Sequence, residues 1–217
     1  MLWQVSWSNL GPMNSPVLGR HLPTRARVLA AAKELFSSGG FEGTTTAAIA
    51  RQAETSESQL IKHFGGKEGI LVAIFEEGWE RIAPQFAATS VIREPREKLR
   101  VAFELMLQAL ETDPQLAELM LLEGRRVRRG RDDVLITDGY RRFASLIESI
   151  LTELCSENGV TEVGPRALAS GLIGLFEGLL RDRMLQQRVG KEPGWSVEEI
   201  KKIFQFCIPR LFGGRST

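Results

Sequence analysis

Between residues 56 and 67 the chain gathers Ser56, Glu57, Ser58, Gln59, Lys62, His63 and Lys67, all able to give or take hydrogen bonds. Leu60 and Phe64, four residues apart, supply one apolar edge, so the stretch predicts a short helix with a polar outer face. Glutamine pairs bidentately with adenine, lysine bonds guanine, and serine reaches either a base edge or a phosphate. Ser56-x-x-Gln59 also spells a capping box, which would fold Gln59 back onto its own helix end. Both readings stand for Gln59. Glu57 repels phosphate unless it accepts from a cytosine amine, and plain solvent exposure is the simpler expectation. Lys67 follows Gly66 at the start of the next helix. Free backbone N–H groups and the positive dipole end there attract an anion, and the ammonium adds to the pull. A phosphate clamp and a solvated lysine are its two readings.

Other short elements must hold that stretch. Val28, Ala31, Ala32, Leu35 and Phe36 recur at helical spacing after Thr24, and Gly39-Gly40 stops the pattern. Phe41 follows as an apolar plug. Thr44, Thr45 and Thr46 offer hydroxyls that cap a second helix or meet phosphate, and Ile49, Ala50 and Ala53 turn inward. Glu54-Thr55-Ser56 reads as a turn, and Gly65-Gly66 ends the third helix. Two short helices joined by a tight turn make a helix-turn-helix, whose second helix enters the DNA major groove.

The remainder is helical as well. A fourth helix from Lys67 is expected to end near Pro84. Further helices are expected over 95–110, from Asp113-Pro114 to Gly124, over 133–157, over 165–188, and from the Ser196-Val-Glu-Glu199 capping box onward. Pro209 is expected to kink or shorten the last. No alternating strand pattern occurs, so the chain is all-α.

Composition narrows the function classes. Hydrophobic residues make up 43% and charged ones 25% of the 217, and the net charge is +1. From Arg20 to Lys67, seven basic residues face four acidic ones, a mild bias suited to phosphate. Two cysteines and two histidines, with no metal-like spacing, argue against a disulfide framework or a zinc site and for a cytoplasmic setting. No apolar run reaches membrane-spanning length, so no membrane partner is expected. No nucleophile–base pair, phosphate loop or metal spacing supports an enzyme, and no cofactor is implied. Residues 1–22 read as a loose arm, with Met13 an alternative start.

Three further features invite a role. Ala167, Gly171, Gly174 and Gly178 form one stripe of small residues, and each glycine inside a helix costs up to about 1 kcal/mol. Close approach of another helix, within the chain or from a second copy, is the physical reason for such a stripe. Five arginines between Arg125 and Arg131 form either a solvated loop that complements the preceding helix end or, less simply, a second nucleic-acid patch. Phe103, Met106, Met120, Phe143 and Phe176 are bulky or polarizable, with Glu177 and Arg181 beside them. They suit a ligand cavity or an ordinary core.

Residues 25–75 resemble the DNA-binding domain of the TetR family of bacterial transcriptional regulators. Gly40-Phe41, the threonines with Ile49-Ala50, Leu60 through His63-Phe64, and Lys67-Glu68 match its pattern in order and spacing. The resemblance implies a three-helix DNA-binding domain over 23–68, containing the helix-turn-helix. It also implies a helical ligand-binding and dimerisation domain over 69–217. The implied partners are double-stranded operator DNA, a second copy of the chain and a small-molecule effector. DNA contacts would come from Thr44, Thr45, Thr46, Ser56, Ser58, Gln59, Lys62, His63 and Lys67, and His63 has a bland alternative as support for the turn. The helix over 165–188 would pair with the last helix across a two-fold axis, through Gly171, Gly174, Leu175, Gly178, Phe204 and Ile208. The chain departs from the family at Glu54-Thr55, where Gly-Val is usual, and at Ile61, where a phosphate-touching tyrosine is usual. Ile61 is therefore expected to pack against the domain. The rival reading is a ligand-sensing helical protein without sequence-specific DNA binding.

Overall fold

The computed structural model describes residues 23–124, 136–159, 162–192 and 194–211. These form α1 (Thr24–Gly39), α2 (Thr46–Gln52), α3 (Glu57–Phe64), α4 (Lys67–Ala88), α5 (Pro95–Thr112), α6 (Pro114–Leu122), α7 (Asp138–Asn158), α8 (Pro165–Arg188) and α9 (Val197–Leu211). A 3-10 turn, Thr89–Val91, follows α4. No strand occurs among the described residues. The arm over 1–22 and the arginine cluster from Arg125 to Arg131 lie outside them.

Side-chain caps set most helix starts. Thr45 accepts from the Ala48 N–H at 3.1 Å, and Ser56 accepts from the Gln59 N–H at 3.2 Å. Asp113 caps α6 through the Leu116 N–H at 3.1 Å. At α9 the box is reciprocal: Ser196 Oγ accepts from Glu199 N–H at 3.2 Å, while the Glu199 carboxylate accepts from Ser196 N–H at 2.8 Å. Those bonds from Ser196 hold the Glu199 carboxyl below its ordinary range.

Two expectations about helix ends fail. α4 continues through Pro84 to Ala88. Pro84 is exposed, so the carbonyl it leaves without a donor can turn to water, while Ile82 and Phe86 pack on the core either side of it. The seventh helix begins at Asp138, capped by the Thr137 hydroxyl, rather than near residue 133. The Glu76 carboxylate on α4 also accepts from the Asp138 and Gly139 N–H groups, at 2.7 and 3.3 Å. α9 runs on past Pro209 to Leu211.

Two apolar clusters result. One joins α1, α2, α3 and the start of α4, with Phe36, Phe41, Ile49, Leu60 and Ile70 at its centre. The other joins α5, α7, α8, α9 and the middle of α4, around Phe103, Ile147, Leu151 and Phe176. α4 enters both: Leu71 and Phe75 belong to the first and Trp79 to the second. α6 does the same, sending Leu116 and Leu119 into the first, Leu121 into the second, and Met120 against each.

Ion pairs reinforce that junction. Asp113 accepts from Lys33 of α1 at 2.7 Å and from Arg81 of α4 at 3.3 Å. Burial alone would raise the Asp113 carboxyl, but the Lys33 and Leu116 hydrogen bonds and the Lys33 and Arg81 charges outweigh it and leave it below its ordinary range. Arg188 of α8 pairs with Glu118 of α6 and donates to the Ser37 carbonyl of α1 at 3.3 Å.

Candidate nucleic-acid interface and effector cleft

α3 rests on the first cluster through Leu60, which is 1% exposed, and its other side faces out. Glu57, Ser58, Gln59, Ile61, Lys62 and His63 are all exposed. Three devices hold this helix. Arg27 of α1 donates to the Ala53 and Glu54 carbonyls, at 3.0 and 3.3 Å, which pins the turn. Thr46 on α2 bonds the Glu57 carboxylate. Gly69 admits the end of α3, since a Cβ there would lie 1.7 Å from the Phe64 carbonyl oxygen. Glu54 takes φ 49°, the left-handed conformation that the Glu-for-Gly departure foretold.

Thr44 and Lys67 face inward more than their sequence neighbourhood suggests, while Thr45 is exposed and Thr46 half-buried. Thr44 is 6% exposed and donates to the Gly40 and Leu35 carbonyls, at 2.8 and 3.2 Å, so its hydroxyl finishes α1. Thr45 caps α2, and Thr46 is taken by Glu57. Lys67 Nζ donates to the Phe41, Glu42 and Thr44 carbonyls, at 3.1, 3.4 and 3.5 Å, and sits 4.6 Å from the Phe41 ring centre. Its ammonium therefore staples the loop between α1 and α2. The helix start it opens has no side-chain cap.

On α3, Ser58 shares a 3.1 Å hydrogen bond with Ser56, and the Gln59 amide oxygen accepts from Thr55 at 3.3 Å. Gln59 thus bonds a residue of the turn through one end of its amide. A groove between α1 and α3 brings Gln59 and His63 beside Thr24 and Arg25. Composition hid Arg25 among ordinary surface charges. Ile61 does not pack against the domain: 49% of it is exposed, because Leu60 and Phe64 already occupy the inward side of a helix that turns 100° per residue.

Between α4, α5, α6, α7 and α8 lies a narrow cleft with an internal volume of about 60 Å³. It brings together Met106, Met120, Phe143, Phe176 and Glu177, while Phe103 stands outside it. The Phe103 ring packs on Phe204 at 4.5 Å and on Phe176 at 5.4 Å. Arg181 also turns away, donating to the Leu121 carbonyl at 2.9 Å. Phe75, Trp79 and Tyr140 also line the cleft, and no motif in the sequence marks them for that place. Trp79 is 5% exposed, yet its indole N–H has no hydrogen-bond partner among the described residues. No spacing rule reveals an unpaired donor of that kind.

The small-residue stripe of α8 faces outward: Gly171 and Gly174 are exposed, and nothing lies within 4 Å of a Cβ placed on Gly171, Gly174 or Gly178. Leu175 beside them is 36% exposed. Packing of this stripe inside the chain is therefore ruled out among the described residues. Phe204 and Ile208, expected on the same outer surface, are each 4% exposed inside the second cluster. On α9, Phe206 is exposed instead, at 57%.

A bundle of three helices with a pinned turn and a polar-faced third helix defines a helix-turn-helix module, followed among the described residues by six helices, α4–α9, that enclose a cleft. Residues 28–74 match the family model "Bacterial regulatory proteins, tetR family". The HTH-type transcriptional regulator UidR of Escherichia coli is 39% identical over 75 residues, 35% of either chain. The matched region thus spans about a third of that relative's length. The fold extends further. FadR from Bacillus subtilis, solved in complex with stearoyl-CoA, superposes with a TM-score of 0.66 at 18% identity, over 88% of this chain and 98% of that one. AibR, solved with isovaleryl coenzyme A and operator DNA, superposes with a TM-score of 0.60 at 18% identity, over 89% of this chain and all (100%) of that one. No described helix is long and apolar enough to cross a membrane.

Proposed function

We propose that this protein is a cytoplasmic, dimeric transcriptional regulator that binds a palindromic operator and releases it when a small molecule occupies the cleft. The observation that carries the reading is the outer face of α3, where Ser58, Gln59, Lys62 and His63 are exposed on a helix whose turn is pinned by Arg27. Lys62 and Gln59 are the candidate base readers. Ser56, Ser58 and His63, with Thr45, Thr46 and the N-terminus of α4, are the candidate phosphate and backbone contacts. Thr44 and Lys67 act as supports that fix the loop beneath them.

The open glycine stripe of α8, with Leu175 and Phe206, supports a second copy packing there, since helices approach closely only where side chains are small. In such a dimer two α3 helices would enter successive major grooves about 34–36 Å apart. The cleft supports the effector role. Phe75 and Trp79 of α4 and Met120 of α6 line it, and both helices reach into the cluster under α3. An effector that fits one arrangement of α4 and α6 better than the other shifts the population by that difference in affinity alone.

Selection of bound duplexes from a random pool tests the reading. A palindrome should emerge, and Gln59→Ala should relax preference at one base pair of each half-site. Affinity no better for any selected sequence than for random duplex would overturn it in favour of a sensor that reads no DNA sequence.

A further inference from the structure

We infer that Ile61 is a specificity-determining residue that reads a thymine methyl group in the major groove, an inference that rests on the DNA-binding reading of α3. Ile61 lies in the middle of α3, 49% exposed, amid side chains that can all form hydrogen bonds: Glu57 and Ser58 before it, Lys62 and His63 after it. It sits one turn beyond Glu57 and therefore on the same side of the helix. Glu57 is bonded there by Thr46, at the start of α2. That side is the flank facing α2, whereas Gln59 and His63 border the groove with α1. The flank beside α2 thus carries Ile61 next to the engaged Glu57 carboxylate, and the flank beside α1 carries Gln59 and His63.

An aliphatic side chain can neither donate nor accept. Pressed against a base edge rich in hydrogen-bonding groups, it removes their water and returns nothing. The major-groove edge carries one apolar substituent, the C5-methyl of thymine. Ile61 therefore favours a thymine opposite it and penalises guanine and adenine edges at the same place.

The test uses the full chain and the duplex recovered by selection. Each thymine in a half-site is replaced in turn by uracil, which deletes only the methyl group. At one position per half-site the wild-type protein should bind about fourfold more weakly, the worth of one buried methyl. Ile61→Ala should bind the thymine and uracil duplexes equally, and Lys62→Ala should retain the preference. Thermal unfolding of Ile61→Ala should match wild type. Absence of any uracil penalty in the wild type, or the same penalty in Ile61→Ala, overturns the inference and leaves the DNA-binding reading intact. Loss of self-association in Ile61→Ala with an unchanged thymine preference also overturns it, because Ile61 would then face another copy. A selection that yields no sequence overturns both.

Discussion

Replacing Gly139 by alanine tests whether the join between α4 and α7 is as tight as it looks. A Cβ at Gly139 would lie 2.0 Å from Trp79 Cγ and 2.3 Å from Trp79 Cβ. Ordinary contact begins at 3.4 Å, so the two helices must part by about 1.4 Å at that point. A change of rotamer gives no relief, since rotation about the Cα–Cβ bond leaves Trp79 Cβ in place. The strain falls on backbone that the Glu76 carboxylate holds through two N–H groups. Overpacking of this kind costs up to about 3 kcal/mol. Alanine recovers at most about 1 kcal/mol of helix propensity. The net loss is about 2 kcal/mol, which for a chain of this size lowers Tm by about 4–8 °C. Thermal unfolding followed by circular dichroism reads this directly. A Gly139→Ala protein that melts with the wild type would show that the indole does not press on α7 in solution.

Two further outcomes are expected. Glu54→Gly removes a left-handed non-glycine residue, φ 49°, and should stabilise the first cluster by up to about 1 kcal/mol in urea denaturation; a loss of stability would count against the turn geometry. Asp113→Asn keeps an α6 cap but forfeits the charge that holds Lys33 and Arg81, costing about 1–2 kcal/mol at neutral pH. The folded-state carboxyl lies below its ordinary value, so its contribution is full above the unfolded pKa of about 4 and is lost as pH falls through the folded one. The stability gap between wild type and Asp113→Asn should therefore close in acid, and a gap constant with pH would refute the charge assignment.

Helix positions were legible where the signal is local. Asp113-Pro114 and Ser196-x-x-Glu199 cap their helices as their residue types require, because a cap involves only neighbours in the chain. The helix-turn-helix was legible for the same reason, with Thr45 and Ser56 as caps and Leu60 as the inward anchor. Local signals failed where packing outweighs them. Pro84 reads as a stop, but Ile82 and Phe86 bind the helix to the core on both sides of it. Ile61 reads as core, and the inward side of α3 is already filled.

The sequence by itself determined an all-helical chain, the order of its elements and the polar character of α3, since periodicity and caps depend on residues within a turn or two of each other. Only the tertiary structure decided what each face meets. Thr44 and Lys67 look like phosphate ligands from their neighbours, yet carbonyls at the end of α1 and in the loop after it claim them. Phe204 and Ile208 look like interface residues, yet they close the chain's own core and leave Phe206 outside. Trp79 looks like one more apolar residue, and its buried N–H, without a hydrogen-bond partner among the described residues, is set where α4, α6 and α7 meet around it. A helical pattern says that a side must be covered. The covering surface comes from segments tens of residues away, and their approach is a property of the folded chain.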